Sequence, residues 1–139
     1  MKDIIGSLIF DSSLESIPEL RAVALADRHL IYEGGGIVLD LLLKNQDEGT
    51  CIHIGGQVLP EDSACTSVSD LQVLMEQGAS RVRTHTNALG EFTFHTVPNG
   101  TLDLAIILKD RRFAVRGLSN KEPRMWRVVP LAAVSGRLQ

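Results

Sequence analysis

From residue 37 to residue 118, apolar and polar side chains alternate with a period of two. That period marks strands that bury one face and leave the other in water. Ile37, Leu39, Leu41 and Leu43 fall on one side of such a strand, and Val38, Asp40, Leu42 and Lys44 on the other. Ile52 and Ile54 share a face within residues 51–59, and Leu71, Val73 and Met75 share one within residues 71–77. Further strands are predicted over residues 81–87, 91–97, 102–108 and 113–118, with one more upstream at residues 29–33. Short strands separated by turn signals predict an all-β, antiparallel β-sandwich of seven or eight strands.

The breaks between these runs carry turn chemistry. Gly34-Gly35-Gly36 separates two apolar runs and predicts a tight hairpin, since glycine reaches positive φ at little cost. A phosphate-cradling loop needs a helix after the glycines, whereas here the β-branched pair Ile37-Val38 follows. Residues 60–70 are rich in turn formers and read as a loop. Asn87-Ala88-Leu89-Gly90 suits a type I turn with Gly90 left-handed, and Val97-Pro98-Asn99-Gly100 suits a second turn. In a hairpin of that register Asn87 pairs with Glu91, Thr86 with Phe92 and Thr84 with Phe94. Val82, Thr84, Thr86, Phe92 and Phe94 then point inward, and Arg83, His85, Thr93 and His95 outward.

The ends read differently. Ser16 before Ile17-Pro18, followed by an alanine-rich stretch, predicts a short helix or an irregular crossing within residues 13–28. Residues 1–36 therefore form an N-terminal arm with the first hairpin strand, and residues 37–118 form the domain proper. Residues 119–139 form a basic tail in which Pro123 and Pro130 forbid one continuous helix. The tail carries net charge +3 and residues 1–50 carry −5, so it is expected to pack on the domain. The whole chain of 139 residues has net charge −3, which offers no global field for nucleic acid. No apolar stretch approaches a membrane span, and the first ten residues, broken by Asp3, Gly6 and Ser7, do not read as a signal peptide. Cys51 and Cys65 lack a CxxC spacing and read as reduced thiols, which places the chain in the cytoplasm.

The segment Thr84-His85-Thr86-Asn87-Ala88-Leu89-Gly90-Glu91-Phe92-Thr93-Phe94, preceded by Gly56-Gln57-Val58 and Leu71-Gln72-Val73-Leu74 and followed by Pro98-Asn99-Gly100, resembles the carboxypeptidase regulatory-like domains of the transthyretin-like (prealbumin-like) sandwich group. The likeness spans residues 51–118 and departs from the pattern at Thr101-Leu102, where such domains carry an aromatic. It implies a binding or structural module without catalysis. Enzymes of the same fold leave marks that are missing here. The hydroxyisourate hydrolases end in a Tyr-Arg-Gly-Ser-type tail, but this chain ends Ser135-Gly136-Arg137-Leu138-Gln139. Intradiol dioxygenases hold iron with two tyrosines, and Tyr32 stands alone. Lys44 and Asn120 are the pair to consider for an isopeptide bond of the pilin kind.

Other chemistry is sparse. No nucleophile-elbow motif occurs. His85 and His95 are the pair to weigh for a metal, with Glu91 as a third ligand, although two solvated histidines are the expected state. Arg111 and Arg112, with Lys109 and Arg116, form a local basic cluster. Arg124, Trp126 and Arg127 form the tail's candidate docking group, since Trp and Arg favour interface cores. Leu8-Ile9-Phe10 is a second apolar segment. The expected role is a non-enzymatic, cofactor-free module that binds another protein or its own copies through a sheet edge. A small-molecule or glycan-binding module is the alternative, against which the scarcity of aromatics counts. A transthyretin-like hydrolase is the third reading.

Overall fold

The computed structural model describes residues 2–12, 27–46, 49–61 and 67–119. Among them there are ten strands and no α-helix. In chain order these are β1 (Lys2–Ile5), β2 (Ser7–Asp11), β3 (Arg28–Gly34), β4 (Ile37–Gln46), β5 (Cys51–Pro60), β6 (Gln72–Gln77), β7 (Ser80–His85), β8 (Glu91–Pro98), β9 (Leu102–Ile107) and β10 (Arg111–Leu118). They form two five-stranded sheets. Sheet I has the order β1-β10-β9-β6-β7, and sheet II the order β2-β3-β4-β5-β8. Every pairing is antiparallel except β1 with β10.

The alternation in the sequence becomes burial. Ile37, Leu39, Leu41 and Leu43 of β4 are fully buried, as are Ile52, Ile54 and Val58 of β5. Leu102, Leu104 and Ile106 of β9 and Phe113 and Val115 of β10 meet them in a single apolar cluster that draws on both sheets. With few aromatics to fill space, glycines make room for the rings that exist. A Cβ on Gly56 would stand 2.2 Å from the ring of Phe92, its cross-strand partner, and one on Gly6 would stand 2.5 Å from Phe113. Gly35 and Gly36 both have positive φ between the paired residues Gly34 and Ile37. That is the geometry a two-residue hairpin loop requires.

Two expectations are corrected. The strand count is ten among the described residues, not seven or eight, because Lys2–Ile5 and Ser7–Asp11 add two strands upstream of those expected. Gly6, between β1 and β2, hands the chain from sheet I to sheet II, so one apolar run serves two edges. The short helix or irregular crossing expected within residues 13–28 lies outside the described residues apart from Asp27 and Arg28, the latter the first residue of β3. The second correction concerns residues 81–97, which do not form a hairpin. β7 pairs only with β6 and closes one edge of sheet I, while β8 pairs only with β5 and closes one edge of sheet II. The Asn87–Gly90 turn is formed, with backbone bonds from Gly90 to Asn87 (3.0 Å) and from Asn87 to Glu91 (2.9 Å), but it turns a corner between sheets. Thr86 is buried at that corner and bonds to Val68 and Leu71 rather than facing Phe92. Val82, expected inward, lies exposed on the β7 edge.

Two bulges keep the core faces in phase. In β8, Phe94 and Val97 are both buried although three residues apart, because His95 and Thr96 both face outward. In β10 the register shifts between Val115 and Leu118, and both of those are buried. Each bulge contains a residue at positive φ: Gly117 (71°) in β10 and Thr96 (54°) in β8. Glycine adopts that conformation freely, but a β-branched residue is strained there. Thr96→Asn is therefore expected to raise stability by about 0.5–1 kcal/mol, since Asn enters the left-handed region readily. A urea melt with an unmoved midpoint would show that Thr96 carries no strain.

Candidate functional site

On the outer face of sheet I the register lines residues up in rows across the strands. One row runs Arg83–Leu74–Ala105–Ala114–Ile5 through β7, β6, β9, β10 and β1. Beside it runs His85–Gln72–Ile107–Arg112–Asp3. On the other side Glu76 stands between Arg81 and Asp103. Apart from Arg83 the central row is apolar, and the two middle positions of that apolar part are alanines. Short side chains between long charged ones leave a trough of about 170 Å³ with Leu74, Ala105 and Ala114 in its lining and Arg81, Arg112 and Arg116 around it.

Part of this charge is already matched. Arg112 holds Asp3 in a two-pronged contact at 3.1 and 3.0 Å, and Arg81 holds Glu76 at 2.6 Å. The Arg112 hydrogen bond draws the Asp3 carboxyl below its usual pKa, and Asp3 in turn raises that of Arg112. Asp103 accepts the Gly117 backbone N–H at 2.9 Å. Arg83 and Arg116 make no hydrogen bond or ion pair among the described residues. Both are exposed and stand on the same face. The surface is thus a small apolar floor with two exposed guanidinium groups on its face.

The residues singled out in the sequence separate on the fold. Arg112 lies on this face, but Arg111 does not. Its guanidinium donates to the Gly35 carbonyl and to Asp110, pinning the β3–β4 turn. Arg124, Trp126 and Arg127 lie outside the described residues, as do Cys65 and Asn120. Asn87 and Gly90 form the corner, the Asn87 side chain accepting the Leu89 and Glu91 N–H groups at 2.9 Å each. Pro98 and Gly100 flank Asn99, which bonds to Thr50 and Gly49 of the loop before β5.

The pairing of His85 with His95 is corrected: the first is in sheet I and the second in sheet II. The imidazole that meets His95 is that of His53, with ring centres 4.9 Å apart. Among the described residues no group of three or more His, Cys, Asp or Glu is placed to share a metal ion. Sequence reasoning passed over His53 because nothing in its spacing links β5 to β8; only the ladder does.

The outer face of sheet II bears on the alternative readings. A shallow depression of about 500 Å³ lies over Gly55 and Gly56, with Asp40, Gln57 and Glu91 at its margin. The aromatic ring beneath it, Phe92, is buried and offers no stacking face to a sugar. Nearby, His29 and Asp40 bond through Nε2 and Oδ1 at 2.7 Å, while the Ser12 hydroxyl accepts the His29 backbone N–H. Among the described residues no helix is long and apolar enough to cross a membrane. The fold and its faces define an all-β protein of two five-stranded, mostly antiparallel sheets. No family model, no curated protein and no solved structure matches the chain.

Proposed function

We propose that this chain is a non-catalytic β-sandwich of the carboxypeptidase regulatory-like, prealbumin-like kind, acting in the cytoplasm by binding another protein. Two sheets around one apolar cluster and the Gly56–Phe92 contact within the resembling segment support the fold reading. The observation that carries the functional reading is the row Arg83–Leu74–Ala105–Ala114–Ile5 on sheet I. An apolar floor on a face that also carries Arg83 and Arg116, which make no hydrogen bond or ion pair among the described residues, suits an acidic segment of a partner protein whose apolar side chain lies in the trough. Charge then sets orientation and association rate, and the floor supplies desolvated contact.

The test uses the full chain and two labelled synthetic peptides of equal length, one alternating Glu with Leu and one alternating Lys with Leu. Fluorescence anisotropy is expected to show binding of the acidic peptide alone, weakening as salt rises. The Arg83→Glu/Arg116→Glu variant is expected to bind at least about tenfold less tightly. Equal binding by that variant, or preference for the basic peptide, would reject this face. Self-association through the half-exposed Leu8 and Ile9 on the β2 edge is the competing outcome. It would appear as a dimer in sedimentation that Leu8→Lys abolishes.

A further inference from the structure

The His53–His95 pair on the outer face of sheet II sits at the β8 bulge. Between Ile52↔Val97 and Ile54↔Phe94 the ladder shifts by one residue, so His95 and Thr96 together oppose His53. Bulges re-aim side chains, and strained backbone gathers where an arrangement serves a function. Here the strained residue is Thr96, directly beside the pair.

The ring separation fits a shared ion. Two imidazoles bound to one ion at about 2.1 Å, with a near-tetrahedral angle between them, hold their ring centres roughly 5 Å apart. The observed separation is 4.9 Å, with the ring planes at 64°. We propose that His53 and His95 form a two-imidazole site for a divalent transition-metal ion of the zinc, nickel or copper class, with water completing the coordination. Imidazole selects this class over the oxygen-seeking calcium and magnesium ions.

Three neighbouring groups bear on that role. Burial, then the neighbouring His95 and Lys44, pushes the His53 pKa below its usual value. Lys44 is the cross-strand partner of His53 on β4, so a bound cation stands against its positive charge. Cys51 lies two residues before His53 in the same strand, and an alternating strand turns both to the same face. It is the group to exclude as the real ligand.

Isothermal titration of the full chain with Zn²⁺ and with Ni²⁺ tests the assignment. Binding is expected in the unaltered chain, in His85→Ala and in Cys51→Ser. A loss of at least about tenfold is expected in His53→Ala and again in His95→Ala, since each leaves a single imidazole. Histidine ring resonances give a second readout in the unaltered chain, with Ni²⁺ broadening those of His53 and His95 before those of His29 and His85. Absence of binding at millimolar metal, unchanged affinity in either single variant, or loss in Cys51→Ser with retention in His95→Ala would each overturn the proposal.

Discussion

Replacing Gly90 by valine is expected to cost the fold about 3–5 kcal/mol, from backbone strain and steric conflict together. Gly90 is buried at the sheet-to-sheet corner with φ of 82°, a region that β-branched residues avoid. A Cβ there would lie 2.2 Å from the Val58 carbonyl oxygen. That obstacle is backbone in the middle of β5, so no rotamer change relieves it. The Gly90 carbonyl also accepts the Val58 N–H at 2.8 Å, so displacing the turn breaks a bond as well as a packing contact. Urea denaturation followed by circular dichroism measures the loss, and Gly90→Ala should fall between the parent and the valine variant. A valine variant with the parent's midpoint would mean that the corner is built differently.

Asp11→Ala is expected to be comparably severe, about 3–5 kcal/mol, the range found when one partner of a buried ion pair is removed. Asp11 is 4% exposed, although it lies in an edge strand. Its two carboxylate oxygens accept from Nε and Nη2 of Arg28 at 3.0 and 2.5 Å. The Arg28 side chain is itself only 14% exposed, and its remaining arm donates to the Ser119 carbonyl. Taking the carboxylate away leaves a guanidinium largely out of water without that counter-charge. The double replacement Asp11→Leu/Arg28→Met removes both charges and is expected to recover most of the loss. Thermal melts of the three chains decide the matter. If the double variant is no more stable than Asp11→Ala, the penalty comes from packing rather than from a stranded charge.

Neither site follows from local pattern in full. Asn87 and Gly90 announce a turn, because Asn caps its own backbone and Gly takes positive φ. Nothing in those four residues says whether the flanking strands pair with each other or part company. The same turn chemistry closes a hairpin or a corner. Asp11 and Arg28 are seventeen positions apart, and each reads as an ordinary surface charge until β2 and β3 are laid side by side. The sheet I face was half legible: Arg112 stood out in a basic cluster, but its neighbour Arg111 turned to the β3–β4 loop. Leu74, Ala105 and Ala114 carried no signal that they share a row.

What the chain determines by itself is which face of the central strands is buried and where the chain turns. Side chains alternate across a strand whatever it pairs with, so Ile37 to Leu43 and Leu102 to Ile106 declare their inner faces at once. Glycine and asparagine at Gly35, Gly36 and Asn87 mark the reversals through their own backbone preferences. Tertiary structure alone settled which strand lies beside which. The ladder is made of backbone N–H and C=O groups that are the same at every residue, so local sequence cannot choose a partner. The choice falls to how the rings of Phe92 and Phe113 fit over Gly56 and Gly6 and how the inner faces of the two sheets fill one core. That fit sends β7 and β8 to different sheets, splits the first apolar run at Gly6, and brings His53 against His95.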